Sequence, residues 1–291
     1  MIFARISVDL ELDLHLFFEK KREMKSKRLV VVLSILAFLT VLVVLSSTVF
    51  TLQKVSINWM TTKDEMIGIK DSSITEVVPT GASIFLVDKD EIIKDLEKEF
   101  PYLRVVGLET KFPNKIVVHT AERESLYAVS MSDANGTRYY MILDEKGKVL
   151  RKTNSSIFAG EELGAKPIKV NFVGANVNTD DYVVGEEVKD GALRDLLSRL
   201  SYTMREAGHT PTTSKGVFTD ISIVYAGNEK EINFKTRNGM VISLKDAEHL
   251  TTDKLLLGLT VYDNNQQNGV VEGTIDVWYN LIENKIMARY I

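Results

Sequence analysis

Side chains able to do covalent or metal chemistry are thinly spread in this sequence. Its four histidines, His15, His119, His209 and His249, stand apart, with no His-x3-His or His-Glu pair to seed a zinc site. Cysteine is absent, which removes thiolate nucleophiles, thiolate-bound metal and disulfides together. Asp88, Asp90 and Glu91 cluster, but they open a helical pattern, so capping accounts for them better than a cation does. Glu161-Glu162 and Glu186-Glu187 read as solvated loop acids, and His119, between Val118 and Thr120, as a sheet-face residue. Asn135-Gly136-Thr137 fits a glycosylation triplet but reads as a turn. Gly-rich phosphate loops, Gly-x-Ser-x-Gly elbows and Ser-x-x-Lys are missing. A wall hydrolase built on two carboxylates has no supporting motif. The expectation is therefore a protein without catalytic residues, metal, cofactor or small-molecule substrate. With 36 Lys and Arg against 40 Asp and Glu, the net charge is −4, which argues against a nucleic-acid partner.

A protein that acts by its surfaces must hold them in place, and the charge distribution indicates how. Leu29–Leu52 is 24 residues without a charged side chain, roughly 36 Å as a helix at about 1.5 Å per residue, against a bilayer core of about 30 Å. Before it, Lys20–Arg28 holds six basic residues and one acid, Glu23. The positive-inside rule then puts the N-terminus in the cytoplasm and residues 53–291 outside, behind an uncleaved anchor. The apolar run is too long for a cleaved signal peptide, and Ser46-Ser47-Thr48 is a poor cleavage site. In the first 19 residues Ile6, Val8, Leu10, Leu12, Leu14 and Leu16 alternate with polar residues, a strand pattern with no sheet to join. Either this segment pairs with another protein or it is not part of the native product; the favoured expectation is a mis-assigned start, with Met24, just before Lys25-Ser26-Lys27-Arg28, beginning the cytoplasmic tail.

Two domains follow. Residues 55–60 predict a short strand and Thr61–Lys70 a weak helix. Asp88 caps a helix carrying Ile92, Ile93, Leu96 and Phe100, stopped by Pro101. Leu103–Glu109 and Lys115–Ala121 then predict strands, giving the order β-α-α-β-β. From residue 123 strands dominate: Tyr139–Leu143 and Lys148–Leu150 flank the turn Asp144–Gly147. Further strands fall at Ile168–Phe172, Phe218–Tyr225, Glu231–Thr236, Met240–Leu244, Val271–Tyr279 and Lys285–Tyr290, with Asn238-Gly239 marking a hairpin. Helices are expected at Ala192–Arg205, burying Leu193, Leu196, Leu197, Leu200 and Met204, and from Thr252, carrying Leu255, Leu256 and Leu259. The class is α+β.

These residues carry a resemblance. Gly81–Asp88 with the capped helix after it, Phe100-Pro101-Tyr102, Phe112–Val118 and Ala121-Glu122-Arg123 resemble the FtsQ-type POTRA domain. Tyr140–Val149 resembles the start of the β domain that follows it. Asn238–Leu244, Lys254-Leu255 and Gly273–Val277 resemble later signatures of that domain. In this order, behind one anchor, the chain resembles the FtsQ/DivIB family of bacterial cell-division proteins. Three positions depart from the pattern: Trp59-Met60-Thr61 replaces a Gly-Asn, Ser125 a proline that would stiffen the domain junction, and Trp278 an arginine. The resemblance implies a cytoplasmic tail 1–28, a transmembrane helix 29–52, a POTRA domain 53–122 and a strand-rich mixed α/β domain 123–291. It further implies a non-catalytic scaffold of the divisome that regulates septal peptidoglycan synthesis with FtsB/DivIC-like and FtsL-like bitopic coiled-coil proteins. Its place is the cytoplasmic membrane at the septum. An anchored POTRA adaptor of a secretion or sporulation complex is the alternative.

The partner is expected on the final strands. A last strand at a sheet edge presents unpaired backbone groups that another chain can complete. Tyr279 is favoured as the aromatic anchor because it matches the family's aromatic, with Trp278 next to it and Asp276, Met287 and Tyr290 on the same two strands. The other reading is that both aromatics pack the domain core.

Overall fold

The structure is a computed structural model and describes residues 29–44, 49–60, 69–160, 167–175, 177–210, 216–226 and 229–291. The expectations for the tail, the Ile6–Leu16 alternation, the start at Met24, Ser46–Thr48 and Glu161-Glu162 lie outside the described residues. The apolar run is helical over residues 29–44, with Leu33, Ile35, Leu36, Phe38 and Leu39 all more than half exposed. No helix among the described residues is long and apolar enough to cross a membrane. The far end of the expected 29–52 span belongs to the next domain instead. Thr51 bridges to Ser83, Leu52 exchanges backbone hydrogen bonds with Ala82 and Gly81, and its side chain is fully buried. Leu52 is apolar because it enters a protein core, which a hydropathy run cannot distinguish from lipid.

That first domain comprises β1 (Lys54–Trp59), α1 (Asp71–Val77), α2 (Lys89–Glu99), β2 (Leu103–Lys111) and β3 (Lys115–Glu122), in the predicted β-α-α-β-β order. The strands lie β1-β3-β2, with β1 parallel and β2 antiparallel to β3. The Asp88 carboxylate accepts from the backbone N–H of Asp90 and Glu91 at 3.0 and 3.2 Å, the cap its sequence predicts. Ile92 and Leu96, four apart on one face, bury against Leu103, Ile116 and Val118 of the sheet. The preceding helix is α1, centred on buried Ile74, and Ile69 and Lys70 of the expected Thr61–Lys70 helix are not helical.

The second domain is one nine-stranded sheet in the order β12-β11-β10-β9-β8-β7-β4-β5-β6. Its strands are β4 (Tyr127–Ser132), β5 (Arg138–Leu143), β6 (Val149–Asn154), β7 (Ile168–Val173), β8 (Phe218–Ala226), β9 (Glu229–Thr236), β10 (Val241–Leu244), β11 (Thr274–Asn280) and β12 (Lys285–Tyr290). β7 and β8 run parallel, as do β10 and β11, and parallel neighbours need a crossover. Helices α4 (Gly191–Glu206) and α5 (Thr251–Gln267) supply those crossovers and cover the same face. Leu193, Leu196, Leu197, Leu200 and Met204 of α4 are all buried, as their spacing predicts. In α5, Leu255 and Leu259 are buried, but Leu256 is only half-buried and Lys254 is enclosed instead. The Lys254 ammonium donates to the carbonyls of Lys245 and Asp246 at 2.8 and 2.6 Å, ending β10 where α5 begins. The helix α3 (Ser155–Gly160) packs Phe158 on Ala128 and Ile142, covering the opposite face near β4 and β5. Over β8–β11 that opposite face is polar, with Asp220, Ser222, Glu231, Asn233, Ser243 and Asp276 alternating with core residues.

Candidate partner-binding edge and domain junction

β12 is an edge strand of this sheet, and its pairing shows which backbone groups are free. Thr274 and Ile291 exchange both N–H···O bonds, at 2.9 and 2.8 Å. Antiparallel pairs alternate between bonded and non-bonded, so Asp276–Arg289, Trp278–Met287 and Asn280–Lys285 are bonded pairs as well. The N–H and C=O groups of Ile286, Ala288 and Tyr290 therefore point away from β11, to the open edge.

The five expected site residues divide between two faces. Asp276, Trp278 and Met287 come together on the polar face, where Trp278 and Met287 are direct cross-strand partners. Arg289 stands over the Trp278 ring, 5.9 Å from its centroid, with a guanidinium nitrogen 4.0 Å from the Asp276 carboxylate. Lys245 completes the arrangement, 3.9 Å from Asp276 and 2.8 Å from Glu231, whose carboxylate also accepts from the Ser243 hydroxyl. Burial works to raise the Glu231 carboxyl, but hydrogen bonds from Lys245, Ser243 and Asn233 and the Lys245 charge outweigh it, so its pKa lies below the usual value. Tyr279 and Tyr290 lie on the helix side. The Tyr279 hydroxyl donates to Asn284 within its own hairpin. The Tyr290 hydroxyl donates to the Glu272 carbonyl at 2.6 Å, and its ring occupies the space a Cβ at Gly273 would need.

Sequence reasoning missed the hairpin tip. Leu281 and Ile282 are 85% and 96% exposed, carried by a turn in which the Asn280 side chain accepts from the N–H of Ile282 and Glu283. The signal was present: two consecutive apolar residues between Asn280 and Asn284 have no strand or helix face to fill.

A second cluster of charged side chains lies between the domains. Arg123 reaches Glu97 of α2 at 2.7 Å and Asp144 of the β5–β6 turn at 2.6 Å, and Lys148 reaches Glu97 at 3.1 Å. All four side chains are largely buried. Around a neighbouring polar cavity Glu145 pairs with Arg104 and Arg205 at 3.7 and 2.6 Å. Glu186 and Glu187 are solvated as expected, their side chains 43% and 58% exposed, and each also pairs with a base, Lys98 and Arg194 respectively. The Ser125 hydroxyl lies 3.5 Å from that of Tyr102, across the same junction. Gly185 is required here: at φ +86, a Cβ would sit 2.6 Å from the Lys98 carbonyl of the other domain. Each carboxylate named here faces an arginine or lysine, the arrangement of a structural tie. His119 accepts or donates at 2.9 Å to Asn58, and His209 lies 3.2 Å from Asp263, so the two are held separately. Among the described residues no group of three potential metal ligands occurs.

With the geometry in view, comparison with known proteins shows what the chain is similar to. Residues 54–123 match the family model for the POTRA domain, FtsQ-type, so the first domain is an FtsQ-type POTRA domain. The chain is similar to the cell division protein DivIB of Clostridium botulinum strain Hall, with 23% identity over 261 residues, covering 89% of this chain and 91% of that one. DivIB of strain Loch Maree is 28% identical over the same shares, and DivIB of Clostridium tetani 26% identical over 61% of this chain and 58% of its own. The family resemblance carried by the sequence motifs is thus borne out over most of the chain.

Proposed function

We propose that this protein is a non-catalytic, membrane-anchored scaffold of the bacterial divisome, and that it binds its partner by extending the nine-stranded sheet at β12. The similarity to DivIB proteins supports the division role. The apolar helix over 29–44, behind the basic residues Lys20–Arg28, supports an anchor that leaves the two folded domains outside the membrane. The observation that carries the binding mode is the open edge: Ile286, Ala288 and Tyr290 offer their backbone groups outward, beside the Trp278–Met287 pair. Backbone pairing would supply affinity, and Trp278, with its large apolar area and partial exposure, the anchor at its flank. The partners this reading expects are bitopic coiled-coil division proteins of the FtsB/DivIC and FtsL kind, through which septal peptidoglycan synthesis is regulated.

Ala288→Pro tests it in the full chain. Proline removes one outward N–H and places a ring on the free edge without breaking a bond to β11, a position edge strands tolerate. Losing a backbone hydrogen bond worth about 1 kcal/mol, plus the steric block, should weaken capture of the coiled-coil partners about tenfold or more. The melting curve should stay within about 1 kcal/mol of the parent. Undiminished capture by both Ala288→Pro and Trp278→Ala would refute the edge. Depletion should yield filaments with unconstricted septa; normal division with a secretion or sporulation defect would favour an anchored adaptor instead.

A further inference from the structure

One end of the POTRA domain carries aromatic surface that neither its core nor the β12 edge uses. The Phe50 and Phe85 rings lie 5.2 Å apart and Phe85 and Phe112 5.5 Å apart, centroid to centroid. Phe85, Leu86 and Phe112 are 59%, 83% and 63% exposed. They come from three separate segments: the chain entering the domain, the loop before α2 and the β2–β3 turn. The Thr51–Ser83 bridge and the bonds from the Gln53 and Lys54 N–H groups to the Asn114 carbonyl draw those segments together. At the same end Lys54 and Lys115 lie directly opposite one another in the β1–β3 register. Like charges so placed destabilise a strand pair, and neither lysine has an ion-pair partner among the described residues.

We propose that the Phe50–Phe85–Leu86–Phe112 surface docks on a phospholipid surface, its rings entering the headgroup region while Lys54 and Lys115 meet lipid phosphates. This rests on the reading of residues 29–44 as part of a membrane anchor. Covalent continuity singles out lipid. From Val44 to Val49 the chain can reach no farther than roughly 18 Å, at about 3.6 Å per residue, so the aromatic surface is confined near the helix end. The composition matches: exposed Phe and Leu without hydroxyls, edged by lysines whose long stems can lie along apolar surface with the ammonium at the phosphates. The tie would fix the height and tilt of the folded domains above the membrane.

The chain has no cysteine, so single nitroxide labels can be placed cleanly in the full protein. Leu86→Cys reports the patch, Ile35→Cys the anchor, and Tyr202→Cys on α4, 64% exposed, the aqueous control. In phosphatidylglycerol–phosphatidylethanolamine vesicles, collision rates with oxygen and with a nickel chelate are compared. The ratio of oxygen to nickel accessibility should be several-fold higher at Leu86 and Ile35 than at Tyr202. Adding Phe85→Ser with Phe112→Ser should return the Leu86 label to the Tyr202 pattern while Ile35 stays in lipid. A Leu86 label matching Tyr202, with Ile35 in lipid, would overturn the docking and leave the anchor standing. Shielding of Leu86 from both reagents would overturn it in favour of a covering protein, such as a second copy. An aqueous Ile35 would remove the anchor and this docking with it.

Discussion

Replacing Arg123 with Met would test the junction most directly. The guanidinium bridges Glu97 and Asp144, and its Nε donates to the Leu103 carbonyl at 3.2 Å. Arg123, Glu97 and Asp144 side chains are 9%, 17% and 4% exposed, so solvent could not replace it freely. Taking one member from a buried ionic cluster costs about 3–5 kcal/mol. The lower end applies, because both carboxylates keep some partners. Glu97 retains Lys148 and the Val105 N–H, and Asp144 retains the N–H groups of Lys146 and Lys148. About 3 kcal/mol corresponds to a fall in melting temperature of roughly 6–12 °C for a unit of this size. Urea unfolding of the purified full chain would measure it, together with Glu97→Gln and the double variant. Because the two residues share one cluster, the double variant should lose at least about 1 kcal/mol less than the sum of the singles. A loss below about 1 kcal/mol for Arg123→Met, or additivity within about 0.5 kcal/mol, would refute the tie.

Alkaline pH should weaken the fold. Burial raises the pKa of Tyr127 and of Tyr182 well above the ordinary tyrosine value, the Ser201 hydrogen bond opposing it at Tyr127 and nearby Asp190 and Asp181 adding to it at Tyr182. Their contribution is complete below about pH 10 and is lost as pH rises beyond it, because the unfolded chain releases those protons first. Lys254, lowered by burial against the pull of Asp246, works in the opposite sense. Urea midpoints that do not fall above about pH 10, or a Tyr182→Phe chain with the same slope, would contradict this. Leu96→Asp would bury an unpaired charge in the fully buried face of α2 and should cost more than about 3 kcal/mol. Leu86→Asp, at an exposed position, should stay within about 0.5 kcal/mol; equal melting of the two chains would disprove the helix face.

The elements legible in the sequence were those whose local chemistry and burial agree. Asp88 caps α2, the α4 leucines repeat at helical spacing, and Asn238-Gly239 turns β9 into β10. Tyr127–Ser132 went unread because β4 is a central strand paired on both sides, without turn residues at its start to announce it. The 29–52 run was over-extended because Leu52 is as apolar in a protein core as in lipid. The site was half legible. Alternation assigns Trp278 and Tyr279 to opposite faces, but which face holds helices depends on the β10-α5-β11 crossover, a tertiary fact. The Glu97–Arg123–Asp144 tie joins residues 26 and 21 apart, and no spacing rule brings such acids and bases together.

The position of that tie has a mechanical consequence. It grips the sheet at the β5–β6 turn, while β12 is the opposite rim, eight strand spacings away. At about 4.8 Å per spacing, this is a lever arm of roughly 38 Å before twist is considered. A rotation of the POTRA domain by only about 10° would swing the β12 rim through roughly 7 Å, more than a strand spacing. Torque applied near the N-terminal helix would then be converted into displacement at the rim, with the ionic rivet setting how much is lost to slack. A loosened rivet would leave the strand's chemistry intact while blurring where in space it is presented.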